Sequence, residues 1–233
     1  MKLSLSRLFN ALSFTALIFV PLVHSVAPKA EVSERGMVAS RSAWASQVGA
    51  EILDQGGNAI DAAVAVGFAL AVTYPSAGNL AGGGFMVIHL NDGTVITNDH
   101  REKAPGAATK DMFLDATGEV VKGLSTKSHL AVGVPGSVAG LLSVLERYGT
   151  MDRKQVIQPA IDLAANGILL DRDLAEAFAR RQKDFAPYEA SRAVFSNDGE
   201  LYEIGDRWVQ SDLAQTLIRI RDGGRDGFYK GRT

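Results

Sequence analysis

Cysteine is absent from the 233-residue sequence. Its absence removes disulfides, a cysteine nucleophile and thiolate metal ligands together. Export stays open, because a chain of this size can build a core that folds without bridges. Charge of one sign is lacking too: 24 Lys and Arg face 26 Asp and Glu, a formal net charge of −2. The basic residues are scattered, with runs no longer than pairs such as Arg180-Arg181. That balance excludes the basic stripe of an electrostatic nucleic-acid binder, so no nucleic-acid partner is expected. Histidine is scarce: His24, His89, His100 and His129 are all there are. None shows an i, i+4 metal spacing or an HExxH motif, and no metal site is expected. No GxSxG elbow occurs, so a serine hydrolase of that type has no support. The run Gly82-Gly83-Gly84 leads into Phe85 rather than into Lys-Ser or Lys-Thr. It therefore reads as a turn whose backbone must pass close to something, not as a phosphate cradle, and no cofactor is expected.

What is present begins with a leader. Lys2 and Arg7 precede a mostly apolar stretch over 8–23, interrupted by Asn10, Ser13 and Pro21, and small residues follow at Ser25 and Ala27. This pattern predicts a signal peptide over 1–27, with the mature chain starting at Val26 or Pro28. The apolar stretch is shorter than the ~20 residues of a spanning helix, so no stable membrane anchor is expected. The protein is expected to be exported, periplasmic or secreted. The rest, 28–233, has a globular composition within a sequence that is 46% hydrophobic.

Periodicity and punctuation predict the elements. A short strand is expected at 36–40 (GMVAS), then a helix over 42–55 that ends at Gly56-Gly57. Asn58 suits an N-cap, with Asp61 placed where the helix dipole favours a carboxylate. The helix over 59–72 is apolar on nearly every side, so it belongs in the core. Strands over 85–90 and 94–98 flank Asn91-Asp92-Gly93, a hairpin signal. Helices follow over 137–148, 152–166 and 171–185, then a turn at 196–199 between two short extended pieces. Ser211 is expected to cap a last helix, with Leu213, Leu217 and Ile220 inward. Segregated helices and a hairpin predict an α+β fold, with few strands for so many helices.

Asp99-His100-Arg101-Glu102 closes the second strand. An Arg at a strand end, braced by carboxylates, can present a fixed fork to a ligand carboxylate, although a surface ion pair would look the same in sequence. Here GGNAIDAAVAVGFALAVTYPSAGNLAGGGFMV over 56–87 resembles the opening of γ-glutamyltransferases, also called γ-glutamyltranspeptidases or glutathione hydrolases. The DxREKAP segment at 99–105, KDMFLD at 110–115, SHLAVGVPGSVAG at 128–140, ERYGT at 146–150 and DGFYKG near the end are similar to that family in content and order.

The resemblance implies an N-terminal-nucleophile hydrolase with an αββα sandwich, incomplete in this chain, whose precursor cleaves itself into a large and a small subunit. It implies that a Thr freed at the small subunit's N-terminus attacks the γ-glutamyl amide of glutathione and related compounds. Water or an amino acid or peptide acceptor then takes the γ-glutamyl group. The family's Arg that grips the glutamyl α-carboxylate falls on Arg101, with Glu102 supporting it, and the family's Phe before that Arg is His100 here. The typical Thr-Thr-His nucleophile segment does not occur. The resemblance therefore reads 28–233 as the N-terminal part of the large subunit, truncated, with no catalytic residue of its own, its nucleophile expected C-terminal of Thr233 and the small subunit as its partner. Two alternatives stand beside it: a related acylase acting on β-lactam side chains, and a non-catalytic fragment or binding protein if the chain ends at Thr233.

Overall fold

The computed structural model describes residues 30–233. The expected signal peptide at 1–27 lies outside the described residues. Of the first of two contact units, residues 1–34, only 30–34 are described; they are exposed and carry no helix or strand. The second unit is Arg35–Thr233.

Helix α1, Ala43–Asp54, starts where Ser42 accepts a hydrogen bond from Ala45 N–H. Helix α2, Ala59–Thr73, starts with a full capping box: Asn58 accepts from the N–H groups of Ile60 and Asp61, and Asp61 accepts from Asn58 N–H. These bonds satisfy donors that a helix N-terminus leaves orphaned. Val64, Ala65, Phe68, Ala69 and Val72 of α2 are fully buried. An all-round apolar helix is stable only with neighbours on every side, and α2 has α1 against it.

The hairpin follows. Strand β1, Phe85–His89, pairs antiparallel with β2, Val95–Asp99, in the register Phe85 to Asp99 and Ile88 to Ile96. Asp92 accepts from Thr94 N–H at 2.8 Å, and Gly93 takes φ 86°, which the turn needs and L-residues resist. Alternation sends Met86, Ile88 and Ile96 toward the helices. It leaves Phe85, Val87 and Val95 exposed on the outer face.

A loop with a short helix, α3 (Leu124–Lys127), and a 3₁₀ turn at His129–Ala131 leads to α4, Ser137–Tyr148. Helix α5, Arg153–Asn166, is capped by Asp152. Both pack on α2 through Val138, Leu141, Leu142, Leu145, Val156, Ile157 and Ala160. The remaining elements are β3 (Ile168–Leu169), α6 (Arg172–Phe185), α7 (Glu189–Phe195), β4 (Arg207–Trp208) and α8 (Ser211–Tyr229). Strand β3 pairs with β4. Trp208, fully buried, joins Ile168, Leu170, Leu174 and Phe178 in a small second cluster and donates to the Val194 carbonyl at 2.8 Å. Helix α8 packs its Leu217 and Ile220 side on α5 and α4 and kinks at Gly224.

Three local expectations are corrected. Residues 36–40 pair with no strand and form none. Residues before the 196–199 turn are the helix α7 rather than an extended piece, and 200–204 form no strand. Ser211 is the first helical residue of α8, not its cap; the cap is Gln210, whose side-chain amide instead donates to the buried Val72 carbonyl at 2.9 Å.

Candidate functional site

Arg101 lies just past the end of β2, where three segments distant in sequence meet. The first is the glycine-rich connector. Asn79 Oδ1 accepts from Gly82 N–H at 2.9 Å and from the Ser137 hydroxyl at 2.5 Å. The second is the strand end itself, where His100 N–H donates to the Gly84 carbonyl at 3.0 Å. The third leads into α4: Lys103 and Val134 exchange backbone bonds of 3.1 and 2.7 Å, and the N–H groups of Gly136 and Ser137 both donate to the Gly82 carbonyl. The crossing is held almost entirely by backbone groups, so its geometry is rigid.

The glycines make the crossing possible. A Cβ on Gly83 would stand 2.7 Å from Arg101 Cα and 2.8 Å from Glu102 N. That is the close backbone approach the Gly82–Gly84 run was expected to make, and its object is Arg101. A Cβ on Gly140 would overlap the His100 side chain.

Arg101 itself is braced on one side only. Its N–H donates to Asp99 Oδ1 at 3.0 Å, which fixes the turn out of the strand. Its Nε donates to Glu102 Oε2 at 2.9 Å. The guanidinium stands 5.8 Å from the Phe85 ring centroid, within cation–π range. The terminal Nη1 and Nη2 groups make no hydrogen bond among the described residues, and the side chain is 60% exposed. An arginine held by Nε with both Nη groups outward presents the fork that matches a carboxylate. As a source of stability an ion pair this exposed contributes little; its effect is on geometry. The backbone N–H of Glu102 and the Arg101 guanidinium hold the Glu102 carboxyl below the ordinary carboxylate range, so the brace is ionised at neutral pH.

His100 points the other way, into the fold. Its Nδ1 lies 2.7 Å from Asn98 Oδ1, an acceptor, so Nδ1 carries the proton. Burial pushes its pKa down against the opposing pull of Asp99, which keeps the ring neutral near pH 7. Thr233 has its hydroxyl tied to Arg219 Nε at 2.6 Å and to the Gly227 carbonyl at 3.0 Å.

Hollows of about 420 and 430 Å³ flank α6, but they lie away from this crossing. Their charges are already paired, Arg180 with Glu176, Arg181 with Asp184 and Arg41 with Asp173. The Arg101 shelf is open rather than cavity-like, and it is the better candidate because Arg101 is anchored through Nε and keeps both Nη groups of its fork, whereas Arg180, Arg181 and Arg41 each commit an Nη to a neighbouring carboxylate. Sequence reasoning named Arg101 and Glu102 and noted His100. It missed Asn79, Phe85, Gly136, Gly140 and Tyr229, whose contacts with the crossing are long-range. In the sequence they lie within the family-like strings at 56–87, 128–140 and DGFYKG, with nothing local that links them to Arg101.

The family model described as gamma-glutamyltranspeptidase matches residues 45–233. The glutathione hydrolase proenzyme of Pseudomonas sp. (strain A14) is 52% identical over 210 residues, covering 90% of this chain and 36% of that protein. The glutathione hydrolase proenzyme of Escherichia coli (strain K12) is 50% identical over 200 residues, covering 85% of this chain and 34% of that protein. Among solved structures, the gamma-glutamyltranspeptidase of Helicobacter pylori superposes with a TM-score of 0.84 at 48% identity, over 87% of this chain and 58% of that one. The chain spans about a third of the length of the curated relatives it matches.

Proposed function

The chain belongs to the gamma-glutamyltranspeptidase family, and from that premise we propose that the protein it comes from transfers and hydrolyses γ-glutamyl groups, with glutathione and related γ-glutamyl compounds as donors. The observation that carries the reading is the Arg101 fork: Nε is committed to Glu102, and both Nη groups are open. A γ-glutamyl donor presents a free α-carboxylate at the far end of the glutamyl group from its scissile amide. Gripping that carboxylate fixes the amide's position, which is the orientation a nucleophile needs. A β-lactam acylase need not grip an α-carboxylate, so that alternative does not call for the fork.

The nucleophile in this reading is a Thr beyond Thr233, freed by self-cleavage, with its own α-amine as base. The small subunit that carries it is the partner of this chain. The apolar outer face of the hairpin, with Phe85, Val87 and Val95 exposed, supports a covering layer there. The test is direct: the full-length protein, purified, should release glutamate from glutathione and p-nitroaniline from γ-glutamyl-p-nitroanilide. Failure on both donors, with hydrolysis of an acyl side chain lacking an α-carboxylate, would favour the acylase instead.

Export is part of the same proposal. It rests on Lys2, Arg7, the apolar stretch and Ser25-Val26-Ala27. N-terminal sequencing of the exported protein should begin at Val26 or Pro28. A cytoplasmic product that still starts at Met1 would rule it out.

A further inference from the structure

Arg101 can hold a carboxylate only if its own backbone is held, and the contacts that hold it come from residues a substrate never touches. We propose that His100 and Tyr229 are positioning residues for Arg101, His100 by filling a slot between two glycines and Tyr229 by capping the helix that forms one wall of that slot. The proposal rests on the γ-glutamyl reading of Arg101.

Adjacent residues at a strand end point to opposite faces. His100 goes inward and Arg101 outward, so fixing one side chain fixes the direction of the other. The His100 ring lies against bare backbone on both sides. Gly84 is so close that a Cβ there would stand 2.9 Å from Nε2, and a Cβ on Gly140 would overlap the His100 side chain. Gly136 confines the backbone rather than the ring: a Cβ there would overlap the His100 carbonyl. A side chain that fills such a slot has one position.

The wall carrying Gly136 and Gly140 is the start of α4, and its cap is unusual. Gly136 stands at the N-cap, where no side chain is available to accept from the first-turn N–H groups. Glycine is required there by the His100 carbonyl, so the orphan donor needs an acceptor from elsewhere. Tyr229, the last residue of α8, supplies it. Its hydroxyl accepts from Ala139 N–H at 3.2 Å and donates to the Pro135 carbonyl at 2.8 Å. One oxygen thus ties α8 to both sides of the Gly136 turn, 90 and 94 positions earlier in the chain.

The experiment measures steady-state kinetics of the full-length enzyme with γ-glutamyl-p-nitroanilide for Arg101→Ala, Tyr229→Phe, His100→Ala and His100→Phe. Loosening the grip on the bound donor mainly removes binding that ground state and transition state share, so KM should rise more than kcat falls. Tyr229→Phe and His100→Ala should each raise KM about fivefold to tenfold, with kcat within about twofold. His100→Phe, which refills the slot with a ring, should return KM most of the way. Tyr229→Phe removes a single oxygen, so it carries the test if His100→Ala fails to accumulate. A raised KM in Arg101→Ala with unchanged KM in Tyr229→Phe and His100→Ala would overturn the inference alone. A lower melting temperature in those two variants with KM unmoved would likewise reduce both residues to a structural role. An unchanged KM in Arg101→Ala would overturn the substrate reading and the inference together.

Discussion

Arg101→Ala in the full-length enzyme should lower kcat/KM for γ-glutamyl donors by about 30-fold to 1,000-fold. In the proposed γ-glutamyl reading, the lost contact would be a charge-assisted pair with the donor α-carboxylate, costing about 2–4 kcal/mol where the bound substrate shields it from water, and each 1.4 kcal/mol is about tenfold. Arg101→Lys should recover only part of this. An ammonium can supply the charge but not two parallel N–H donors, and it has no Nε to bond Glu102 as Arg101 does at 2.9 Å. Glu102→Gln should have a smaller effect in the same direction, because Asp99 and Phe85 still hold the Arg101 backbone and guanidinium. The check is steady-state kinetics with γ-glutamyl-p-nitroanilide across the three variants. If Arg101→Ala and Arg101→Lys both matched the wild type, Arg101 would be an ordinary surface ion pair with Glu102.

Much of this fold is written locally, and those parts were legible. Asn58 and Asp61 announce α2 because a cap and its reciprocal carboxylate lie three residues apart. Asn91-Asp92-Gly93 announces the hairpin because Gly93 must take φ 86°. The apolar spacing of Val138, Leu141, Leu142 and Leu145 gives α4 its bounds and its buried face. Where the deciding contact is distant, local reading failed. Residues 36–40 have strand composition, yet a strand needs a partner and none lies alongside. Ser211 is a good cap by type, but Gln210 already sits outside the helix, drawn inward to the Val72 carbonyl. The site divides the same way. Arg101 and Glu102 were found through a motif of adjacent residues, and the close approach behind the glycine run was expected from the run alone. That its object is Arg101 was not, because the two segments meet only in the folded chain, and the Gly136 and Tyr229 contacts behind them are more distant still.

The second large effect concerns stability, and its source is a buried carboxylate rather than the site. Asp61 is fully buried. Beyond closing the capping box on Asn58 N–H, it accepts from the Thr150 hydroxyl at 2.7 Å, from Thr150 N–H at 2.9 Å and from Met151 N–H at 3.1 Å. It thereby joins the start of α2 to the turn between α4 and α5. A buried charge without such donors would be costly. Here the donors are three backbone N–H groups, at positions set by the helices that flank them, and the Thr150 hydroxyl. Asp61→Ala should destabilise the full-length protein by roughly 2–4 kcal/mol, because three N–H groups and a hydroxyl at part-buried positions lose the acceptor they share. Asp61→Asn should destabilise as well, since an amide offers one acceptor oxygen where the carboxylate offers two and turns its NH₂ toward donors. The pH dependence has a definite sign. Burial by itself would raise the Asp61 pKa, but bonds from the Thr150 hydroxyl and from the N–H groups of Asn58, Met151 and Thr150 outweigh it and leave the pKa below the ordinary 3.8. Between the folded value and 3.8 the unfolded chain binds more protons, so stability rises with pH across that window. The contribution of Asp61 is therefore fully present above about pH 4–5 and is lost as pH falls through the lowered folded value. Urea unfolding midpoints measured from pH 7 down to pH 3 should show the wild type losing more stability than Asp61→Asn over the acid end, so that the two curves converge. Parallel curves, or a midpoint for Asp61→Ala equal to that of the wild type at pH 7, would show that the Thr150–Met151 turn is held by something other than this carboxylate.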